Sequence, residues 1–148
     1  MKQIEYPDEK LWDKRKNWFE QELEKAQHPL ASYFVSDQAT ALVVDLQSCY
    51  SAGAFLAVVI LSVSIIDAQI REAESRNKKI GTALLLDQHF TGKDIHWLRK
   101  LRNKYVHLDI DNPALTIDDQ YMKGEEMEKE AQHAINMVIH AFFQSPGT

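Results

Sequence analysis

Between Ala54 and about Ser75 the chain is apolar on nearly every side of a helix, with Phe55, Leu56, Val58, Val59, Ile60, Leu61, Val63, Ile65, Ile66 and Ile70 leaving little room for a polar stripe. A helix of that kind has no face to show to water, so other elements must surround it. A bilayer is not the expected surrounding. The apolar run from Ala52 to Ile66 covers fifteen residues, contains Ser62 and Ser64 and stops at Asp67, whereas crossing a membrane takes about 20 apolar residues. The feature predicts the central helix of a soluble bundle. A chain of 148 residues suits one domain and is long enough to bury a substantial core. Five Gly and four Pro, with 45% hydrophobic and 26% charged residues, fit an all-α fold better than a sandwich or a disordered chain.

The flanking segments supply the partners. Pro7 and Asp8 open a helix expected to reach about Gln27, with Leu11, Trp18, Leu23 and Ala26 on one side. His28-Pro29 ends it, because a residue before proline avoids helical torsions. Ser36 or Asp37 offers an N-cap for a second helix carrying Leu42, Leu46, Cys49 and Tyr50, which Gly53 loosens or interrupts. After the central helix come a short amphipathic piece around Ile80 to His89, a break at Thr91-Gly92, and a helix whose Ile95, Leu98, Leu101, Tyr105 and Leu108 define a buried face. Asp109 to Gly124 reads as a loop. Glu125 and Glu126 start a last helix with Met127, Ala131, Ala134, Val138 and Phe142 on its core stripe. No convincing run of strands appears. The expected architecture is a single antiparallel helical bundle over residues 1–148, with 1–30 as an N-terminal helical extension and 35–143 as the core.

The chemistry concentrates in Arg102-Asn103-Lys104-Tyr105-Val106-His107. This stretch sets a permanently charged guanidinium and an imidazole that titrates near neutrality at one fixed spacing, a pair able to handle a phosphodiester. On an ideal helix Arg102 falls on the shoulder of the buried face and His107 about 140° away, so the two cooperate only if the helix ends near His107, if the arginine reaches round, or if a second copy supplies the complementary group. His96, Arg99, Lys100, Asn103 and His107 form a continuous polar stripe on the same wheel. The overall charge of −5 argues against indiscriminate nucleic-acid binding, so contact with RNA has to be local.

The motif resembles the signature of the HEPN superfamily of helical nucleotide-binding domains, in which an arginine, often followed by asparagine, precedes a histidine by five positions. The resemblance extends over roughly 35–143, where Tyr50-Ser51-Ala52-Gly53-Ala54-Phe55-Leu56-Ala57 followed by Ser64-Ile65-Ile66-Asp67 looks like the family's small-residue-rich core helix ending in an acid. It implies a HEPN-like bundle, a homodimer with two motif copies facing each other, and metal-independent endoribonuclease activity. Under it His107 is the general acid or base, Arg102 stabilises the phosphorane and Asn103 orients the histidine or the phosphate, while Arg99, Lys100, Lys104 and His96 bind substrate. Where the toxin-like branch carries a tyrosine two residues after the histidine, this chain has Asp109. A toxin–antitoxin role with a cognate antitoxin as protein partner belongs to the same set of implications. So do two alternatives, a non-catalytic helical module for dimerisation or protein interaction and nucleotide binding without cleavage.

Other features point to no further chemistry. His133 and His140 share a helix face but lie two turns, about 10 Å, apart, too far to ligate one ion directly. His89 and His96 straddle the Thr91-Gly92 break with no cysteine or carboxylate pattern beside them, so neither metal nor other cofactor is expected. Cys49, the single cysteine, reads as a small buried hydrophobe, and Asp67 as a solvated or paired acid at a helix end. Trp12, Trp18 and Trp97 are expected in the core, and Lys78-Lys79 on a solvated face. A polar stretch from Met1 to Lys10 and a lone cysteine suggest a cytoplasmic protein without membrane attachment.

Overall fold

The computed structural model describes residues 6–75 and 77–147, so Met1–Glu5 of the expected N-terminal extension lie outside it, as do Arg76 and Thr148. Among the described residues the chain forms seven helices: α1 Glu9–Ala26, α2 Asp37–Ala52, α3 Phe55–Glu74, α4 Thr82–His89, α5 Ile95–Val106, α6 Ile117–Met122 and α7 Gly124–Phe143. Extended backbone contributes one isolated bridge, between Ser32 and Gly147. The fold is an all-helical bundle, and among the described residues no helix is long and apolar enough to cross a membrane.

Helix ends follow local chemistry. Asp8 caps α1 by accepting from Leu11 N at 2.7 Å, and Ser36 caps α2 by accepting from Ala39 N at 3.2 Å. Gly53 does more than loosen α2. It ends the helix, taking a left-handed φ of 82° that a residue with a Cβ adopts only under strain. The chain then turns directly into α3, whose Val58, Ile65, Ile66 and Ile70 are fully buried. Its main neighbours are α7 and α2. Ala131 and Ala134 of α7 are buried too, and such small side chains let the two backbones approach closely. Each large aliphatic side chain so enclosed stabilises the fold by about 1.5–3 kcal/mol.

Three expectations need correction. Leu108 does not extend the buried face of α5, because the helix stops at Val106 and leaves Leu108 77% exposed. Nor is 109–124 a plain loop. Thr116 and Asp119 close a reciprocal capping box that starts α6, each side chain bonding the other's backbone N–H. Trp12 is also more exposed than a core residue, whereas Trp18 and Trp97 pack against the core as expected.

Candidate functional site

Leu98 is fully buried, and α5 packs on α3 there. Arg102 follows one turn later and leaves the helix on nearly the same side, about 40° round. It thereby lines a cleft of about 740 Å³ whose other walls come from Ser64, Asp67 and Arg71 of α3, from Lys78, and from Thr82 at the start of α4. Arg102 is half-buried. Its Nη1 donates to Asn103 Oδ1 at 3.1 Å, and its Nε–H is buried with no acceptor. No carboxylate among the described residues pairs with it.

The α3 wall is fixed by a local fork. Arg71 donates from Nε and Nη2 to the two oxygens of Asp67 at 3.1 and 2.9 Å, and from Nη1 to Ile80 O at 2.7 Å. The hydrogen bonds to Asp67 raise the Arg71 pKa further above its ordinary value. Asp67 is thus a paired acid, and the fork secures the α3–α4 connection against α3.

His107 lies elsewhere. It is the C-cap of α5, with extended backbone and an exposed side chain, and its N–H donates to Asn103 O at 3.0 Å. Nine residues beyond Leu98, it emerges about 180° from the face that packs on α3. The cleft is lined by Arg102 but not by His107. Within one chain the structure brings Arg102 and Asn103 together and leaves the histidine apart.

The polar stripe is divided as well. His96 and Arg99 reach Asp87 of α4, at 3.4 and 3.7 Å. Lys100 is exposed. Lys104 lines a second, smaller cavity of about 200 Å³ with Tyr105, Glu126 and Glu130. There the Tyr105 hydroxyl donates to Glu130 Oε2 at 2.5 Å. Burial, followed by this bond to a carboxylate, pushes the phenol well above its ordinary pKa, so it acts as a donor and not as a base.

Two further histidines clamp the turn before α5. His133 meets Asp94 at 3.1 Å and packs on Trp97, while His140 meets the Thr91 hydroxyl at 2.8 Å and packs edge-on against Phe90. Asp94 takes a left-handed φ of 69° to make the turn. Among the described residues no group of three His, Cys, Asp or Glu side chains could hold a metal ion. Burial, and then Asp45, raises the Cys49 thiol pKa, which keeps it protonated and unreactive at neutral pH. Lys78 and Lys79 are exposed, as expected of a solvated face, but Lys78 also borders the cleft, which sequence reasoning missed. No local signal marks it, because 64–82 and 102 converge only in three dimensions.

Fold and site together define an all-helical protein with a cationic cleft beside its fifth helix. Comparison with protein-family models, with curated proteins and with solved structures finds no significant match.

Proposed function

We propose that the protein is a HEPN-like, RNA-directed, metal-independent endoribonuclease acting as a homodimer. The observation that carries this reading is Arg102, a half-buried residue with no carboxylate partner among the described residues and a desolvated Nε–H. Such a group is an electrostatic receptor for a phosphate. His107 stands at the helix end with its side chain in solvent, where it is free to exchange protons with a substrate lying across two copies of the motif.

In the proposed step an imidazole removes the proton from a ribose 2′-hydroxyl, and the oxygen forms a bond to the adjacent phosphorus. Arg102 holds the added negative charge, and the P–O5′ bond breaks as the departing oxygen takes a proton from the second copy's imidazolium. The products are a 2′,3′-cyclic phosphate and a 5′-hydroxyl. Nucleotide binding without cleavage is the second reading, favoured by the separation of His107 from the cleft within one chain.

The test is cleavage of mixed RNA in chelator by wild type and His107→Ala. Wild type should yield 2′,3′-cyclic ends and spare DNA, and the variant should lose about two to four orders of magnitude in turnover. Wild-type activity abolished by chelator, or 5′-phosphate products, would contradict the mechanism. Binding of nucleotide with no cleavage would establish the second reading.

A further inference from the structure

The cleft has its own chemistry, separate from the histidine. Three cations and two anions line it: Arg71, Lys78 and Arg102 against Asp67 and Glu72. The Arg71–Asp67 fork is closed on itself, with every Arg71 nitrogen engaged. That leaves Arg102 and Lys78, neither in an ion pair among the described residues, facing a single carboxylate. A local positive excess inside a chain of net charge −5 selects an anion. Among the described residues the hydroxyls of Ser64 and Thr82 have no hydrogen-bond partner and are available to phosphate oxygens.

The size and lining of the cleft narrow the ligand. A volume of about 740 Å³ belongs to the range of small-molecule sites, roughly 300–1,000 Å³, and far exceeds a bare phosphate. No aromatic side chain lines it, and its apolar surface comes from Val63, Ala68 and the stems of longer residues. A base would find no aromatic ring to stack on. What remains is polar: Ser36, Gln38, Glu72 and Ser75. A carboxylate and an amide of this kind suit the hydroxyls of a sugar, as acidic residues do for ribose in dinucleotide sites.

We propose that this cleft binds a sugar phosphate, with Arg102 and Lys78 on the phosphate and Glu72 on the sugar hydroxyls. The assignment shares Arg102 with the proposed nuclease but does not use His107, so it stands or falls separately. The ligand is either a free sugar phosphate or the phosphorylated 5′ end of a ribonucleotide chain, and both present the same group.

Calorimetric titration of the full chain with ribose 5-phosphate, inorganic phosphate, adenosine and adenosine 5′-monophosphate tests it. Ribose 5-phosphate should bind saturably, inorganic phosphate more weakly, and adenosine not at all. Lys78→Ala and Arg102→Lys should each weaken ribose 5-phosphate by about 10–100-fold. Glu72→Ala should abolish the preference over inorganic phosphate, and Lys129→Ala, on the exposed side of α7, should change nothing. A 5′-phosphorylated RNA dinucleotide matching ribose 5-phosphate identifies an RNA end as the source, and its exclusion identifies a free sugar phosphate. No saturable binding of any phosphorylated ligand at about 10 mM, binding indifferent to Lys78→Ala and Arg102→Lys, or adenosine monophosphate more than about tenfold tighter than ribose 5-phosphate overturns the assignment. His107→Ala, which removes cleavage under the nuclease reading, should leave this binding intact, so failure of one reading is distinguishable from failure of the other.

Discussion

A buried N–H without an acceptor costs about 1–3 kcal/mol, and Arg102 Nε is such a group. The chain gets little structural return from it, since the one internal hydrogen bond of its side chain runs to the neighbouring Asn103. Residues held at such a cost are expected where function needs them, and removing the polar group then stabilises the fold while destroying the activity. Arg102→Met keeps the aliphatic stem and deletes the unsatisfied donor. The variant should lose RNA cleavage and sugar-phosphate binding with its thermal midpoint unchanged or raised by about 2–4 °C, the shift that 1 kcal/mol produces in a domain of this size. A drop of that size would instead make Arg102 a structural residue. Part of this was legible in the sequence, because the helical wheel places Arg102 on the shoulder of the buried face. The missing acceptor was not, since it depends on what α3 brings opposite.

At the scale of elements, the central helix was readable because burial on all sides leaves a continuous apolar pattern, and Asp8, Ser36 and Gly53 signalled the ends of α1 and α2 through their capping chemistry. The end of α5 was hidden. Leu108 continues the apolar spacing although the backbone leaves the helix at Val106, and no Gly or Pro stands before Pro113 to announce the exit. The capping box of α6 was visible in Thr116 and Asp119, but a six-residue helix has too little apolar repeat to confirm it. Gly53 gives an element-scale prediction. Alanine there must adopt the left-handed conformation, at about 1–2 kcal/mol, and its Cβ would lie 3.1 Å from Arg15 Nη1. Urea unfolding of Gly53→Ala should show a loss of at least that size. The turn before α5 gives another. Burial lowers the His140 pKa below 6.5, so the unfolded chain takes up that proton first as pH falls, and the folded state loses stability through and below the unfolded value. The thermal midpoint should decline between about pH 7.5 and 5.5, and His140→Gln should flatten part of that decline. An equal slope in both proteins would exclude the histidine as its source.

Across the whole molecule, α1 is joined to the bundle through Arg15. Its side chain meets Glu128 of α7 at 3.2 Å, donates to Ser51 O at 3.3 Å and lies over the Phe55 ring. The opposite character marks the segment after His107. Leu108, Ile110, Ile117 and Met122 are largely exposed there, interspersed with Asp109, Asp111 and Asp118. On the neighbouring surface of α5, Lys100 and Lys104 are also exposed. A two-fold axis placed beside α5 would lay the acidic, apolar segment of one copy on the basic helix of the other. It would also bring each His107 toward the partner's motif, which the single chain does not achieve on its own. Light scattering over a broad concentration range should therefore give twice the chain mass. Ile110→Lys combined with Met122→Lys should return the protein to a monomer, because it sets lysines against lysines and removes exposed apolar contact. That monomer should lose RNA cleavage yet retain sugar-phosphate binding, since the cleft lies wholly within one chain. Monomeric mass for the wild type at every concentration, with and without RNA, would remove the composite site and with it the ribonuclease mechanism.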